Sequence, residues 1–188
     1  MKLLTPEEGR LLLKTIRTVI GRELGEQSAL PVGEASVFDE NAGTFVTLKL
    51  NNQLRGCIGN IEPVKSIRQS VLDNAISAAF HDHRFAPLTR QEFDEVEISL
   101  SVLGHAKPLL ADKTADRCNA LRPGKDGVIL RCKGRSATFL PQVWEQLPDP
   151  QNFLSHLCIK AGLERDCWLN NDTEILVYQV QSFTEEKE

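Results

Sequence analysis

The sequence has no excess of positive charge, because its 22 lysine and arginine residues are outnumbered by 26 aspartate and glutamate residues. The formal net charge at pH 7 is −4. Proteins that bind nucleic acid or anionic lipid usually present an excess of cations to the phosphate groups. The composition therefore argues against nucleic acid and membrane surfaces as partners.

The sequence also lacks a long uninterrupted apolar segment. Its first apolar run, LLLKTI, is broken by Lys14 and continues into the polar stretch RTVIGRELG. This pattern fits neither the apolar core of a signal peptide nor a membrane span of about 20 residues. We therefore expect a cytoplasmic protein. With 188 residues, of which 41% are hydrophobic, the chain has the length of one domain.

The five cysteines follow no spacing that is typical of a disulfide framework or a metal site. They stand at positions 57, 118, 132, 158 and 167, an odd number spread widely over a chain in which we expect no export signal. We therefore expect reduced thiols, with every cysteine except Cys57 in a structural position. The CxxC, HExxH, GxGxxG and GxSxG motifs are absent, so no cofactor is expected.

Helical and strand-like patterns alternate along the chain. TPEEGRLLLKTIRTVIGRELG predicts a helix that Thr5 caps, that Glu8 completes with a capping box, and that ends at Gly25. TFVTLKL and QLRGCIG alternate with period two about the turn residues NN, which predicts a hairpin. Further helices and strands are predicted at VKSIRQSVLDNAISAAF, EVEISLSVL, GVILRCKGRSATFLP, DPQNFLSHLCIKAGL and EILVYQVQSF.

Strands that are joined mainly by hairpins and interrupted by helices predict an α+β fold. We expect an antiparallel β-sheet flanked by α-helices, with a smaller subdomain formed by part of the second half. The whole chain, residues 1–188, is interpreted as one domain with a smaller lobe at about 105–145.

The stretch QLRGCIGN places Cys57 between two glycines, with Arg55 two residues before it. Strand alternation predicts that Leu54, Gly56 and Ile58 share one face and that Arg55 shares the other face with Cys57. A guanidinium close to a thiol stabilises the reactive thiolate. However, free cysteine is often buried, and glycine in a strand often marks a bulge. A working thiol and a structural hairpin both remain open.

The stretch HDHRF holds two histidines, His81 and His83, that could supply metal ligands or a base. Catalytic zinc usually takes three protein ligands, and only two are local here. The end of a helix also favours cationic side chains because of the helix dipole. We therefore predict no metal site.

The hexapeptide LRGCIG, residues 54–59, resembles the signature of the AMMECR-type domain family, component A of the AmmeMemoRadiSam system. The similarity extends nearly from the first helix to Phe183. The further matching segments, in the family's order, are GTFVTLKLNNQLRGCIGNIEP, NAISAAFHDHRFAPL, VEISLSVL, ATFLPQVWE and FLSHLCIKAGL.

This resemblance implies an α+β fold with an antiparallel sheet, flanking helices and a smaller subdomain. It also implies gene-level association with a Memo-type protein, which is similar to non-haem iron dioxygenases, and with a radical SAM protein. The family has no established reaction that the resemblance could carry over.

The resemblance also indicates which residues of this sequence match the family's patterns. The signature carries over to Leu54, Arg55, Gly56, Cys57, Ile58 and Gly59. A second family pattern, F-D-RF-PL, is matched by Asp82, Arg84, Phe85 and Pro87, whereas His81 and His83 fall on its open positions. Asp82 and Arg84 are therefore candidates to line a pocket with Cys57. Pro141, Gln142 and Trp144, in LPQVW, are candidates for another wall of that pocket.

Two hypotheses about function follow. In the first, the protein is an accessory or substrate-binding component of a modification pathway. Arg55 and Cys57 are then catalytic: Arg55 recognises an anionic group and keeps the thiol ionised, and Cys57 holds a small-molecule or protein substrate. In the second, the protein is a non-catalytic interaction module, in which LRGCIG is a structural hairpin.

Overall fold

Eight strands and five α-helices are described in the computed structural model, which covers residues 3–31, 35–111 and 113–185. The helices are α1 (Pro6–Glu23), α2 (Ile67–Phe80), α3 (Arg90–Phe93), α4 (Arg117–Ala120) and α5 (Pro150–Lys160). The strands are β1 (Thr44–Leu50), β2 (Gln53–Asn60), β3 (Glu97–Leu103), β4 (Lys107–Pro108), β5 (Gly127–Cys132), β6 (Arg135–Phe139), β7 (Glu174–Tyr178) and β8 (Val180–Thr184). None of the described helices is both long and apolar enough to cross a membrane.

The elements fall into two compact units, each with its own sheet and hydrophobic core. One unit comprises the chain up to Leu103 together with the segment from Gln181 onward, and its sheet has the strand order β2-β1-β3-β8. The other unit runs from Gly104 to Val180, and its sheet has the order β4-β7-β5-β6. The α+β fold with antiparallel strand pairing, predicted from the sequence, is confirmed.

The first helix forms as the sequence predicts. The Thr5 hydroxyl accepts a hydrogen bond from the backbone N–H of Glu8, whose carboxylate accepts one from the backbone N–H of Thr5. This reciprocal pair satisfies two backbone N–H groups that the first turn of a helix otherwise leaves open. Ile16 and Ile20 are fully buried on the inner face of α1, where they pack into the core of the first unit.

The sheet of the first unit has one face in the core and one face away from it. Val46 and Leu48 of β1, with Ile98 and Leu100 of β3, are fully buried in the same core as α1 and α2. The alternate side chains of β1 are half-buried or exposed. The alternation of TFVTLKL therefore separates a core face from an open face, as period-two patterning predicts.

The hairpin between β1 and β2 contains a bulge, which glycine in a strand often marks, but whose position the period-two pattern does not predict. Asn51 and Asn52 form the two-residue turn with φ of 51° and 63°, the left-handed backbone that such turns require. The register then shifts, so that Lys49 lies opposite Leu54 and Leu48 lies opposite Gly56. Because directly opposed residues share a face, Leu54 lies on the open face and is 42% exposed. The prediction that Leu54 and Gly56 share a face is wrong.

The second unit contains the other predicted hairpin and helix. β5 and β6 pair about a turn in which Lys133 and Gly134 have φ of 50° and 73°. α5 is capped by Asp149, whose carboxylate accepts a hydrogen bond from the backbone N–H of Asn152. The unit includes the 105–145 stretch and continues through α5 and β7.

Two predicted boundaries are wrong. The segment EILVYQVQSF was predicted as one strand, but it divides at Gln179 into β7, which pairs with β5, and β8, which lies beside β3. The alternating pattern continues through the division, so the sequence does not indicate that the chain passes from one sheet to the other. α2 begins after Ser66 and not at Val64, where the predicted segment VKSIRQSVLDNAISAAF starts, because the Ser66 hydroxyl accepts the capping hydrogen bond from the backbone N–H of Gln69.

The expectation that all cysteines are reduced is also wrong. Cys158 of α5 and Cys167 form a disulfide with their Cα atoms 6.1 Å apart, and both are buried. Their separation of nine residues matches no common motif, but the chain turns back after α5 at Gly162, where φ is 72°. Cys57, Cys118 and Cys132 are free thiols.

Candidate functional site

The Cys57 thiol lies on the open face of the first sheet, directly opposite Thr47 of β1. Both side chains are half-buried, and the Thr47 hydroxyl donates a hydrogen bond to the sulfur over 3.3 Å. A donor at the sulfur stabilises negative charge there. The thiol is therefore held beside a polar partner and is not enclosed in the apolar core.

The backbone of Cys57 is held by the loop that follows α2. β2 is an edge strand, and a free edge leaves backbone groups unpaired. Here the N–H of Cys57 donates to Oδ2 of Asp82 over 2.9 Å, and its carbonyl oxygen accepts from Nη2 of Arg84 over 3.2 Å. A carboxylate and a guanidinium thus take the place that a neighbouring strand would have.

Asp82 and Arg84 form a bidentate ion pair. Nε and Nη2 of Arg84 donate to the two carboxylate oxygens of Asp82 over 2.9 and 2.7 Å. The Arg84 guanidinium, helped by the N–H of Cys57, holds the pKa of Asp82 well below its usual value of 3.8. The hydrogen bond from Asp82 in turn raises the pKa of Arg84, so both groups are charged at neutral pH.

Arg84, and not Arg55, is the cation that contacts Cys57. Its side chain is 56% exposed, whereas that of Asp82 is 5% exposed. The guanidinium reaches Cys57 through the hydrogen bond from Nη2 to the carbonyl oxygen of that residue. The sequence predicts that Arg84 lines a pocket with Cys57, and the contact that it makes is with the carbonyl oxygen of that residue; its binding role stays a prediction.

Arg55 is occupied by a carboxylate of its own. Its Nε and Nη2 donate to the carboxylate of Glu92 over 2.8 and 3.0 Å, and Nη2 also donates to the carbonyl oxygen of Pro87 over 3.3 Å. The Arg55 guanidinium, with the backbone N–H of Thr89, lowers the pKa of Glu92 to about 2. No hydrogen bond joins Arg55 to Cys57 within the described residues, so a catalytic role for Arg55 stays a prediction.

Phe85 lies between the two arginines. The guanidinium carbons of Arg55 and Arg84 are 5.9 and 5.5 Å from the centre of its ring, within the usual range of a cation–π contact. Phe85 therefore connects the two ion pairs. We call the group formed by these side chains the Cys57 cluster: Thr47, Cys57, Asp82, Arg84 and Phe85.

The glycines of the signature are required by packing. A Cβ atom on Gly56 would lie 2.2 Å from the carbonyl oxygen of Ala78 in α2. One on Gly59 would lie 2.3 Å from the carbonyl oxygen of Thr44 and 2.4 Å from the ring of Phe45. Ile58 packs against the core. These residues hold β2 against its neighbours, and a direct binding role for them stays a prediction.

Gln142 and Trp144 belong to the second unit, in the short 3-10 helix Pro141–Glu145. Trp144 is 3% exposed, its ring stacks on Phe153 with centroids 3.7 Å apart, and its Nε1 donates to the carbonyl oxygen of Asp126 over 2.7 Å. Its indole ring is therefore part of that unit's core. Gln142 is exposed. The binding roles of both residues stay predictions.

The two histidines of HDHRF lie at the surface. His81 follows the last turn of α2, and both His81 and His83 are exposed. In the described parts of the chain, no group of three or more histidine, cysteine, aspartate and glutamate side chains is placed to hold a metal ion.

Sequence reasoning missed Thr47 because of the bulge. A two-residue turn without a bulge would place Cys57 opposite Val46, which points into the core. The shifted register brings Thr47 opposite the thiol instead. Glu92 closes the capping box of α3 with Thr89 while it also binds Arg55, and this second contact joins residues 37 apart in sequence.

The fold and the site define an α+β protein with an edge-strand cysteine that a carboxylate–guanidinium pair holds in place. The profile of the AMMECR1 family matches residues 13–183. The chain therefore belongs to the AMMECR1 family.

Three similar proteins come from archaea. A protein of Methanothermobacter thermautotrophicus is 38% identical over 186 residues, which cover 97% of each chain. Protein MK0488 of Methanopyrus kandleri is 38% identical over 98% of this chain and 91% of its own. The crystal structure of the uncharacterized protein PH0010 from Pyrococcus horikoshii has a TM-score of 0.85 and 32% identity, and covers 97% of this chain and 94% of its own. The chain therefore shares its fold with that protein over the part that the comparison covers.

Proposed function

We propose that this protein is a cytoplasmic accessory or substrate-binding component of a modification pathway, and that it engages its substrate through the Cys57 cluster. The observation that carries this proposal is the setting of the thiol. Cys57 is half-buried on an open sheet face and accepts a hydrogen bond from Thr47, whereas the free thiol of Cys132 is 4% exposed in a core. Reactive cysteines are partly exposed and lie near cations, as Cys57 does.

The chemistry that this setting supports is covalent attachment of the substrate to sulfur. When the thiolate attacks an acyl carbon, the carbon–sulfur bond forms as the bond from that carbon to its leaving group breaks. The proton of the thiol ends on the leaving group, so no further reagent is needed. The Thr47 hydroxyl donates a hydrogen bond to the attacking sulfur, and the Asp82–Arg84 pair holds the backbone of the same residue.

The pathway partners are a Memo-type protein and a radical SAM protein. Family membership supports this part of the proposal, because the AMMECR-type domain is component A of a three-part system. The protein then presents a substrate to one of these partners.

A non-catalytic interaction module is the second candidate. The packing of Gly56 against Ala78 and of Gly59 against Phe45 favours it, because both glycines of the signature have a structural reason to be present. In that case LRGCIG shapes a hairpin, and the thiol takes no part in function.

Native-state alkylation separates the two candidates. We expect iodoacetamide to label Cys57 in the folded protein faster than Cys132, as measured by mass mapping. We also expect Cys57→Ser to lose covalent capture of substrate while it still binds the Memo-type and radical SAM proteins in calorimetry. An inert Cys57 in the folded protein would favour the interaction module, whereas partner binding by Cys57→Ser is expected of both candidates.

A further inference from the structure

We propose that Arg84 is the specificity-determining residue of the Cys57 cluster, and that the substrate carries a carboxylate or phosphate next to the carbon that meets the thiol. This inference rests on the proposed function of Cys57. It transfers to Arg84 the anion-recognition role that the sequence suggested for Arg55.

The first argument is the number of donors that Arg84 has free. A guanidinium has five N–H donors. In Arg84, Nε and Nη2 are taken by Asp82 and by the carbonyl oxygen of Cys57. Nη1 makes no hydrogen bond within residues 3–31, 35–111 and 113–185. Two donors are therefore available on a side chain that is 56% exposed.

The second argument is the orientation of the two ion pairs that flank Phe85. In one pair the Arg84 cation is 56% exposed and the Asp82 carboxylate only 5%. In the other pair the order is reversed, with Arg55 12% exposed and Glu92 27%. Each pair has zero net charge, but an approaching ligand meets the charge that lies outermost, because Coulomb energy falls with distance. An anion is therefore attracted to Arg84 and not to Arg55.

The third argument is position. The hydrogen bond from Nη2 to the carbonyl oxygen of Cys57 fixes the guanidinium next to the residue that carries the thiol. Asp82 holds both partners, since it accepts from the N–H of Cys57 and from Arg84. An anionic group at Nη1 and a reactive carbon at the sulfur can therefore belong to one small substrate.

Paired alkylating reagents test this inference. Iodoacetate and iodoacetamide react identically: the thiolate sulfur displaces iodide, so that the carbon–sulfur bond forms as the carbon–iodine bond breaks. The two reagents differ in charge, and in iodoacetate the carboxylate is attached directly to the reactive carbon. The ratio of their rates at Cys57, measured by mass mapping, therefore reports anion recognition, while the iodoacetamide rate alone reports access to the thiol.

We expect Arg84→Gln to lower the iodoacetate-to-iodoacetamide ratio about threefold to tenfold at low salt, and Arg84→Lys to restore most of it. These differences should shrink between about 0.01 M and 1 M salt, as the screening length falls from about 30 Å to about 3 Å.

Arg10→Gln is the matched control. Arg10 is an exposed arginine of α1 that is paired with the carboxylate of Glu7, and the substitution removes the same charge. We expect it to leave the ratio unchanged, and we expect Arg55→Gln to have a smaller effect than Arg84→Gln.

Failure of this inference can be distinguished from failure of the proposed function. A ratio that Arg84→Gln leaves unchanged, or that Arg55→Gln lowers more strongly, would overturn the inference and leave the thiol proposal standing. A Cys57 that neither reagent labels would overturn the proposed function and, with it, this inference.

Discussion

The hydroxyl of Thr47 and the sulfur of Cys57 are joined across two strands by a hydrogen bond of 3.3 Å. The bulge at Arg55 brings them opposite each other, and the loop that contains Asp82 and Arg84 fixes the Cys57 backbone from the other side. The thiol is thus positioned by three parts of the chain. Each can be altered without removing the cysteine.

Removal of the Thr47 hydroxyl should slow the chemistry of the thiol. We expect Thr47→Val to lower the rate of iodoacetamide labelling at Cys57 about threefold to tenfold at neutral pH, since one hydrogen bond contributes about 1 kcal/mol. Thr47→Ser keeps the hydroxyl and should stay close to the wild-type rate. Equal rates in the wild type and Thr47→Val, measured by mass mapping, would show that the hydroxyl does not stabilise the thiolate.

A side chain at Gly56 should disrupt the contact between β2 and α2. The added Cβ would meet the backbone carbonyl oxygen of Ala78, which cannot move as a flexible side chain can. We expect Gly56→Ala to lower the free energy of unfolding of the first unit by about 3 kcal/mol, the upper part of the usual range for overpacking. Amide hydrogen exchange in β1 and β2 should measure this loss.

Gly25→Ala is the control for that substitution. Gly25 has φ of 94° after α1, and an added Cβ would meet nothing within 4 Å. Gly25→Ala should lower the free energy of unfolding by about 1 kcal/mol, and this loss should come from the backbone conformation alone. Equal losses in the two variants would mean that the close approach of Ala78 is relieved by a small shift of the helix.

Local chemistry explains why much of the first unit could be predicted. Thr5 and Glu8 cap α1, and Asn51 and Asn52 turn the first hairpin, through contacts among residues that are near in sequence. Such contacts depend on residue type and spacing, which a sequence shows directly. The α+β class followed from them.

The candidate site was less predictable because it depends on contacts between distant residues. One bulge shifts the partner of Cys57 from Val46 to Thr47, and the glycines of QLRGCIGN are typical of a bulge but do not fix its position. The pairing of Arg84 with the Cys57 backbone joins positions 27 residues apart, and the disulfide to Cys158 depends on the course of the chain after α5. Tertiary packing decides each of these contacts.

The stabilisation from the Arg55–Glu92 pair should be lost in acid, so that the first unit becomes less stable as the pH falls. The pKa of Glu92 is lowered from 4.5 to about 2 in the folded chain. A carboxylate with a lowered folded-state pKa contributes stability that is fully present above its unfolded pKa and is lost as pH falls towards the folded value. The contribution of Glu92 is thus present above pH 4.5 and lost between pH 4.5 and about 2.

The variant Glu92→Gln tests this pH dependence. We expect it to lower the free energy of unfolding by about 1 kcal/mol at pH 7, and to match the wild type at about pH 2, as measured by urea denaturation. Glu95→Gln removes an exposed carboxylate from the same segment and should show no such convergence. A difference between Glu92→Gln and the wild type that stays constant with pH would contradict the role of the Arg55 pair.

The disulfide between Cys158 and Cys167 should stabilise the second unit. It closes a short loop between α5 and the 3-10 helix Cys167–Leu169, and closing a loop limits the unfolded chain. We expect the double variant Cys158→Ser, Cys167→Ser to lose about 2 to 3 kcal/mol of unfolding free energy. Tryptophan fluorescence in urea reports this unit selectively, because both tryptophans of the chain, Trp144 and Trp168, lie in it.

Thiol titration in denaturant checks the pairing itself. Protein purified without reductant should titrate three thiols, those of Cys57, Cys118 and Cys132, and reduction should raise the number to the five cysteines of the sequence. Cys118→Ser should lower both values by one, because its thiol is outside the pair. Five thiols without reductant would show that Cys158 and Cys167 are reduced. The double variant should then lose stability only because two buried thiols are replaced by hydroxyls. A hydroxyl in an apolar core needs a hydrogen-bond partner.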